Sequence, residues 1–512
     1  MKERLKILPS ENYKTYERSA KSMSNYKHGI RTSRQDTSLI VPTKTDGNIQ
    51  CVIGTAPVNL AADPYDTVNR PFAAHKKEDA IKYVGYNTDF ENYTLCQSIY
   101  ATFDVFGTGP LILINVLDPK KHISAETSKE VSVVSGRAVI EDQGILLDQL
   151  KVTDEAGTKT YVADTDYIAS FDSSGRVVVA IAKDGQAAKA AKIKATFVKL
   201  DPSMVTEADI IGAYDVATHK RTGMELIGSV CSKLNLIPGL LLAPGWSHKT
   251  AVALALNAKA QLIYSLYGAN AVIDLDSSAK GADSYEKVKE TKEAAALTES
   301  SEWVVWPKVK VGDLTYYYSA QMGARLQSLA AANDGVPSQT PSNKAIMISA
   351  IVNEAGEEIE MDMDAANDYC NANGVITAIN MNGWKCWGSN TAAYPSTTDP
   401  VKRWLNVVNI FTYIENAFKT TFFQKVDDLT NYRLIEDVVA TENLSLNGLQ
   451  GSDDIAGGVI EFNHDENPIT EILGGHIKFH ERIGGYTPAE DIENVFEFDP
   501  TITQAALEGG AE

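Results

Sequence analysis

The sequence predicts a multidomain α/β protein: a central α/β layer with an inserted all-β domain, an α+β C-terminal domain and extended terminal arms. Three patterns support this prediction. Buried apolar runs alternate with helical stretches on both sides of residues 122–203, which indicates strands joined by helices. Within 122–203, short β-prone runs are separated by turn residues. In the last third, a helical apolar face precedes several extended runs.

The first half of the central layer is predicted from a succession of strand, helix and strand. Residues 51–57 (CVIGTAP) are typical of a buried strand that leaves through a loop, and residues 111–116 of a second one. Helices are expected at residues 76–83 and 93–104. Because helices separate the two strands, we expect the strands to be parallel neighbours.

The inserted domain is predicted from a change of texture between residues 122 and 201. Turn residues such as Asp154–Gly157 and Asp172–Gly175 separate short runs that favour strands. Such an insertion leaves the surrounding fold intact when its two ends lie close together at a surface loop. The expected strands are Val131–Val134, Ala138–Ile140, Leu150–Thr153, Thr160–Val162, Val177–Ile181 and Ile193–Leu200.

The second half of the central layer is organised around Leu240–Leu242, a short apolar run that stops at Ala243-Pro244-Gly245. A small-residue helix follows from Thr250. We expect the three leucines to lie in the core and Ser247 to cap the helix through its hydroxyl group. The other expected elements are helices at 206–215, 223–233 and 314–333, a strand at 271–276 and a β-like run at 303–311.

The C-terminal domain is predicted from an amphipathic helix over Trp404–Gln424. Its apolar residues follow the spacing of one helical face: Trp404, Val407, Val408, Phe411, Ile414, Phe418 and Phe422. A second helix is expected at Leu429–Asn443. Extended runs follow at Gly458–Asn463, His476–Arg482 and Ile492–Phe498, and the tail from Leu507 is expected to be loose.

The composition is that of an ordinary globular protein of 512 residues, with 44% hydrophobic and 22% charged residues. A formal net charge of −20 argues against a nucleic-acid binder, because neutralising phosphates requires clustered lysine and arginine. Five scattered cysteines without a CxxC pair indicate a reducing compartment. Since the N-terminus is polar and no apolar run reaches the length of a membrane span, we expect synthesis in the cytoplasm.

The turn at Ala243–Thr250 is the first place to test for catalysis, because strand–turn–helix junctions hold phosphate cradles and nucleophiles in α/β enzymes. A phosphate-binding loop requires glycine where this chain has Ala243 and His248. A nucleophile elbow, G-x-S-x-G, begins well at Gly245 but has Lys249 in place of its closing glycine. The turn fails both patterns, and the sequence predicts no catalytic residue.

Two groups of candidate metal ligands fail as well. His476 and His480 are four residues apart, but they fall in an alternating run typical of a strand and lack a third ligand nearby. Asp362, Asp364 and Asp368 are spaced like calcium ligands, but the glycine and the bidentate glutamate that such a loop requires are absent. The sequence therefore predicts neither a metal nor a cofactor.

Several short segments together resemble the tail sheath proteins of contractile phages and related contractile injection particles. They occur in the family's order over residues 28–500, although His28-Gly29-Ile30 lacks the proline of the usual Pro-Gly-Val. The segments are Val52–Pro57 (VIGTAP), Leu236–Ser247 (LIPGLLLAPGWS), Trp306-Pro307 with Val309, Pro341–Lys344 (PSNK), Gly474–Phe479 (GGHIKF) and Ile492–Phe498 (IENVFEF).

The resemblance implies a structural subunit that is not an enzyme. Such subunits stack helically as hexameric rings around a tail tube and contract to drive the tube through a target cell envelope. The implied partners are further copies of the chain, the tail tube protein, and baseplate and tail terminator proteins, with no nucleic acid and no direct membrane insertion. The implied location is the bacterial host cytoplasm during assembly, then a phage virion tail or another contractile injection particle such as an R-type bacteriocin.

In this family, terminal arms add strands to sheets of neighbouring subunits, which is β-augmentation. The chain has two extended segments without an obvious local partner, and buried backbone groups are rarely left unpaired. The expected arm residues are Ile30, Thr32, Leu39, Ile40 and Val41 near the N-terminus, and Ile492, Val495, Phe496 and Phe498 near the C-terminus. The expected contacts to an acidic tube surface are Lys402, Arg403, Lys419 and Lys425.

The expected organisation divides the chain into seven segments. They are a polar extension (1–28), an N-terminal linking arm (29–50), the first part of the central α/β domain (51–121), the inserted β domain (122–203), the second part of the central domain (204–395), a tube-facing α+β domain (396–490), and a C-terminal linking arm with an acidic tail (491–512). An alternative stays open at this point: an α/β hydrolase or nucleotide-utilising enzyme that uses the Ala243–Thr250 turn.

Overall fold

Strands and helices alternate along the chain in a computed structural model that describes residues 46–508. The mixed α/β class is confirmed. The strands are β1 (Gln50–Gly54), β2 (Pro71–Ala74), β3 (Leu111–Asn115), β4 (Thr127–Ser132), β5 (Arg137–Ile140), β6 (Lys151–Asp154), β7 (Tyr167–Phe171), β8 (Val177–Ile181), β9 (Lys192–Phe197), β10 (Tyr214–Asp215), β11 (Lys220–Arg221), β12 (Leu240–Leu242), β13 (Asn270–Asp274), β14 (Glu302–Val305), β15 (Lys308–Val311), β16 (Leu314–Tyr316), β17 (Ala350–Val352), β18 (Val375–Asn380), β19 (Trp384–Trp387), β20 (Gly457–Glu461) and β21 (His480–Gly484). The α-helices are α1 (Lys77–Val84), α2 (Leu95–Ile99), α3 (Glu207–Ile211), α4 (Val230–Leu234), α5 (Thr250–Gln261), α6 (Val288–Ala294), α7 (Tyr318–Ala332), α8 (Met363–Ala365), α9 (Pro400–Arg403), α10 (Leu405–Phe422), α11 (Tyr432–Gly451), α12 (Ile469–Leu473) and α13 (Pro500–Leu507).

The central sheet has eight strands in the order β19-β18-β14-β13-β12-β1-β3-β2. Its six inner strands run parallel, and the outer strands β19 and β2 pair antiparallel to their neighbours. Strands covered on both faces read as continuous apolar runs, and Leu240–Leu242 are fully buried between Cys51 of β1 and Ala271 of β13. The prediction that these leucines lie in the core is confirmed.

One predicted helix is wrong over its first turn. Leu314–Tyr316 form strand β16, which pairs antiparallel with β15, and helix α7 begins only at Tyr318. Gly312 lies in the turn between the two strands with φ at +59°, a conformation that glycine adopts without strain. The expected strand at His476–Arg482 is likewise shifted, because pairing with β20 begins at His480.

The residues expected to form the inserted domain build two three-stranded sheets, β4-β9-β6 and β5-β8-β7. They enclose a core of their own that includes Val152, Val179 and Phe197. The two ends of this part lie side by side, since the Asp201 amide donates to the carbonyl of His122 at 2.9 Å. Strand β7 has no counterpart in the prediction, whereas the expected run at 160–162 contributes only an isolated bridge at Thr160.

Helix α11 packs against β20 of the hairpin formed by β20 and β21, and helix α10 joins α11 in a common core. They share a small core with Ile455 and the partly buried Ile483. The apolar face predicted for Trp404–Gln424 is buried over most of its length. Helix α13 precedes the expected loose tail, and Asp499 caps it by accepting the Thr501 amide hydrogen at 2.8 Å. Most of that tail lies outside the described residues.

Candidate assembly site

The serine of the turn at Ala243–Thr250 is buried. Ser247 is 1% exposed, and its hydroxyl donates to a carboxylate oxygen of Asp274 at 2.9 Å. The neighbouring His248 stacks on the ring of Tyr317 instead of bonding to the serine. Because a nucleophilic serine needs a base within hydrogen-bond reach and an approach for substrate, this arrangement does not support the hydrolase alternative.

The prediction that Ser247 caps helix α5 is wrong. The residue at the start of that helix is Lys249, which makes no side-chain cap, whereas Ser247 is drawn towards the end of strand β13. There Asp274 accepts hydrogen bonds from Ser247, from the Ser319 hydroxyl at 2.6 Å and from the Ser319 amide at 2.8 Å. Complete burial raises the pKa of Asp274 to about 6. This carboxyl ties the turn and helix α7 to the sheet.

The outer edge of β20 is closed by a side chain. Asn443 of α11 donates to the Ile460 carbonyl at 3.0 Å and accepts the Ile460 amide hydrogen at 3.1 Å. The side-chain amide therefore satisfies both backbone groups that a further strand would use there. An incoming strand is blocked at this point of β20.

The outer edge of β21 is open. Backbone groups of an antiparallel pair point alternately towards and away from the partner strand. The backbone N–H and C=O groups of Ile460 point away from β21. The backbone groups of the opposite residue, Glu481, therefore point away from β20, and so do those of Ile483 two residues further on. Their N–H and C=O groups make no hydrogen bond within residues 46–508. The hairpin thus offers one edge for augmentation by another strand.

The chain leaves this hairpin along the start of helix α10. The Asn406 side chain donates to the carbonyl of Tyr486 at 2.9 Å. Further on, Arg403 forms an ion pair with Glu490 at 2.5 Å and a hydrogen bond to Asn390 at 2.8 Å. The guanidinium also stacks over the ring of Trp404, 3.9 Å from its centre. These contacts fix the root of the C-terminal arm.

Beyond Glu490 the arm lies open to solvent. Residues 491–498 form neither strand nor helix, and their backbone makes no hydrogen bond within the described chain. Four of its apolar side chains are among the most exposed in that range: Ile492 (83%), Val495 (78%), Phe496 (90%) and Phe498 (80%). Contiguous exposed apolar side chains mark an interaction site.

The N-terminal arm residues Ile30, Thr32, Leu39, Ile40 and Val41 lie outside the described residues. Of the expected arm 29–50, the structure describes 46–50, and Gln50 belongs to β1 of the central sheet. The roles assigned to both arms, and the domain boundaries, stay predictions.

The four basic residues expected to contact a tube occupy different settings. Lys402 is exposed on α9, whereas Arg403 is occupied at the arm root and its side chain is only 18% exposed. Lys419 pairs with Glu415 at 3.6 Å, and Lys425 with Asp428 at 3.4 Å. Lys402 is therefore the best placed of the four to meet a partner, and tube contact stays a prediction for the set.

Two glutamates beneath the hairpin, one buried and one partly buried, escaped the sequence-based prediction. Glu442 of α11 is 3% exposed, and Glu481 of β21 has one carboxylate oxygen buried without a hydrogen-bond partner. Burial and repulsion from Glu481 raise the pKa of Glu442 to about 8, and burial with repulsion from Glu415 raises that of Glu481 to about 7. A signal existed in the sequence, because Glu481 interrupts the apolar alternation of Ile477, Phe479 and Ile483.

The candidate metal ligands do not converge. Among residues 46–508, no group of three or more His, Cys, Asp or Glu side chains is arranged to hold a metal ion. Asp362 instead caps helix α8 by accepting the Ala365 amide hydrogen at 2.8 Å. The five cysteines are free thiols. No helix in the described range combines the length and apolarity needed to cross a bilayer.

Known proteins similar to this chain in sequence and in fold are tail sheath proteins. The tail sheath protein of Burkholderia phage BcepMu is 26% identical over 499 residues, which cover 94% of this chain and 98% of that protein. The resemblance to contractile tail sheath proteins is confirmed. The relatives found are structural sheath proteins and not enzymes, which agrees with the buried position of Ser247. No protein-family model matches the chain.

Two solved sheath structures share the fold. The sheath complex of an extracellular contractile injection system, PVC, in its contracted state is 14% identical, with a TM-score of 0.56 over 94% of this chain and 100% of that one. The contracted helical sheath of the anti-feeding prophage is 15% identical, with a TM-score of 0.54 over 92% of this chain and 99% of that one. The similarity spans nearly the whole length of all three chains.

Proposed function

We propose that this chain is the sheath subunit of a contractile tail, stacking helically as hexameric rings around a tail tube and contracting to drive the tube through a cell envelope. The observation that carries the proposal is that the subunit has both an open strand edge on β21 and an exposed apolar C-terminal arm whose backbone makes no hydrogen bond within residues 46–508. Copies of such a subunit can join head to tail through two different surfaces, and contacts of this kind build open helical assemblies.

The arms are the proposed links between copies. In our proposal, the open edge of β21 receives a strand from another subunit, and residues 491–498 reach a further one. The outward N–H and C=O groups of Glu481 and Ile483 provide four hydrogen bonds, each contributing roughly 0.5–1.5 kcal/mol. The firmly anchored root at Arg403 and Glu490 lets the arm hold a neighbour while the body of the subunit rotates.

The central sheet serves as the rigid body in this mechanism. The carboxyl of Asp274 links the sheet, the 243–250 turn and helix α7 through buried hydrogen bonds, so these parts move together. Contraction then draws its free energy from new contacts between copies, and no nucleotide is required. The partners of the subunit in this proposal are other copies of the chain, a tail tube protein, and baseplate and tail terminator proteins. We place assembly in a bacterial host cytoplasm, and the finished sheath in a virion tail or another contractile injection particle.

Electron microscopy of the purified chain tests the proposal. We expect tubular polymers of helically stacked rings, and we expect deletion of residues 492–512 to abolish them while leaving a folded, soluble subunit. A strictly monomeric protein with turnover that depends on Ser247 would contradict the proposal.

Tube contact is tested separately. Charge reversal at Lys402 should lower the yield of extended particles formed on tubes, because the exposed ammonium group meets an acidic surface. Charge reversal at Lys289, which lies on helix α6 of the central part and is exposed there, serves as the matched control. Equal yields from the two variants would remove Lys402 from the tube interface.

A further inference from the structure

A cleft of about 1290 Å³ at one end of the central sheet is positively charged. It is bordered by strand β2, by the segment that follows β3, by the β10–β11 hairpin and by helix α4. The acids in its wall are engaged, since Asp66 pairs with Arg70 and Asp118 accepts the Lys120 amide hydrogen at 2.8 Å. The lysine and arginine side chains that line the cleft are Arg70, Lys120, Lys121, Lys220, Arg221 and Lys233.

Most of these cations lack a counter-charge. Apart from Arg70, none of them forms an ion pair within residues 46–508. Arg221 lies over the ring of Tyr214, 5.5 Å from its centre, and Lys120 lies 5.4 Å from the ring centre of Tyr65. In a chain with a formal net charge of −20, a cluster of unpaired cations marks a surface for an acidic partner.

An acidic stretch lies towards the other end of the same sheet. Residues 354–368 contain seven acids and no basic residue, and all seven acids are exposed. Glu354 and Glu358 pair with lysines of strand β15. The side chains of Glu360, Asp364 and Asp368 make neither an ion pair nor a hydrogen bond within residues 46–508. The stretch therefore carries negative charge that the subunit itself does not neutralise.

The backbone of the acidic stretch is held in place. The Ile359 amide donates to the carbonyl of Ile351 in β17 at 3.0 Å, and Asp362 caps helix α8. The turn that follows this helix, Ala366–Cys370, packs against β18. Charges on an ordered backbone lose little conformational entropy on binding, which suits them to a preformed cleft. The C-terminal arm is also acidic, but its backbone over 491–498 has no such support within the described chain.

The strand order keeps the two charged surfaces apart within one subunit. The acidic stretch adjoins β18 and the cleft adjoins β2, and six strand spacings separate these two strands in the sheet. Strands lie about 4.8 Å apart, so the separation is roughly 29 Å, too far for contact between side chains. A contact between the two surfaces must therefore join two copies head to tail, and it leaves each copy with a free surface for the next one.

We propose that the basic cleft binds residues 354–368 of a second copy of the chain. The inference rests on the proposed function, which it deepens by naming a contact between the bodies of two subunits, separate from the arms. Copies with a large negative charge repel each other, and this contact places opposite charges where the bodies meet. Complementary charge fixes the register of the neighbour more than its affinity. Because the charges stay exposed to solvent at the rim, salt weakens the contact.

Charge reversal and its rescue test the contact in full-length protein. The cleft variant combines Lys120→Glu with Lys233→Glu, and the stretch variant combines Glu360→Lys with Asp364→Lys. Each variant should raise the critical concentration for polymerisation, measured by sedimentation, at least ~tenfold, because like charges then face each other. The variant with all four substitutions should return to within ~threefold of the wild type, since the pairs re-form with reversed sign. Thermal unfolding of the unassembled subunit is the folding control.

A matched control separates local contact from net charge. Lys183→Glu with Lys189→Glu, between β8 and β9, changes the net charge as much as the cleft variant does, and both lysines are exposed and unpaired in the described chain. We expect less than a ~threefold change from this control. An equal effect of control and cleft variant, or no rescue by the fourfold variant, would overturn the proposal. Rescue of the cleft variant by Glu493→Lys with Glu497→Lys instead would assign the cleft to the C-terminal arm and refute the chosen occupant.

Crosslinking of the wild-type polymer locates the contact directly. A carbodiimide condenses a carboxylate with a lysine amine to an amide with loss of water, and it joins only groups that touch. In polymer assembled from equal parts of isotopically light and heavy protein, we expect mixed-isotope crosslinks between the cleft lysines and residues 354–368. The separation of roughly 29 Å excludes this crosslink within one copy. Crosslinks between copies that never include this pair would contradict the assignment.

These outcomes separate the inference from the function on which it rests. If the wild-type chain forms no tubes, the proposed function itself is wrong. If it forms tubes and both reversal variants polymerise at the wild-type concentration, only the contact between cleft and acidic stretch is wrong.

Discussion

The C-terminal arm gives the strongest test of how this chain assembles, through the double substitution Phe496→Ser and Phe498→Ser. The two side chains are 90% and 80% exposed in the subunit, so their removal should shift its free energy of unfolding by no more than about 0.5 kcal/mol. Alternation places both on the same face as Ile492. If a neighbour buries that face, each substitution removes roughly 1.5–3 kcal/mol of apolar burial.

The combined loss of roughly 3–6 kcal/mol corresponds to a rise of about 10²- to 10⁴-fold in the concentration needed for polymerisation, since 1.4 kcal/mol is tenfold. Sedimentation of a dilution series measures that concentration. The control is Leu473→Ser on helix α12, where the leucine is similarly exposed at 79% but lies outside the arm. An unchanged critical concentration in the double variant would refute the arm assignment, as would an equal rise in the control.

Two further predictions follow from polar side chains that make buried or edge-closing hydrogen bonds. Asp274→Asn should flatten the pH dependence of stability between about pH 4 and 6. Because the pKa of Asp274 is raised, the folded wild type retains the proton, and its free energy of unfolding falls by on the order of 3 kcal/mol as pH rises through that window. Asn443→Ala should destabilise the subunit by about 1–3 kcal/mol in thermal unfolding, because the edge of β20 loses both hydrogen bonds, whereas the exposed Asn447→Ala should be neutral.

Local patterns were sufficient for much of the fold. Leu240–Leu242 form a continuous apolar run because both faces of a parallel strand are covered, and this holds whatever its neighbours are. The amphipathic helix at Trp404–Gln424 follows from a period of 3.6 residues. Where the pattern was short, as at Leu314–Tyr316, a strand and the first turn of a helix were indistinguishable until pairing with β15 decided.

The roles of single polar side chains were decided by distant residues. Ser247 has the right position in sequence to cap a helix, but its hydroxyl bonds to Asp274, which lies 27 residues further along the chain. Asp274 also accepts a hydrogen bond from Ser319, another 45 residues on, so that Ser247 becomes part of a buried network. The local sequence does not reveal whether the Ser247 hydroxyl caps the helix or bonds to a carboxylate that the folded sheet brings within 2.9 Å. The failed glycine patterns agree with the buried position of Ser247, which is 1% exposed.

The sequence by itself determined that this protein has buried parallel strands and a β-rich insertion, because each depends on the order of apolar and polar residues along a few positions. Only the tertiary structure decided which hairpin edge is open and that a glutamate is buried beneath it. Both depend on packing between separate elements: Asn443 of α11 closes the edge of β20, and Glu442 of the same helix is 3% exposed. Long-range juxtaposition leaves no periodic trace in the chain, which is why folding had to reveal it.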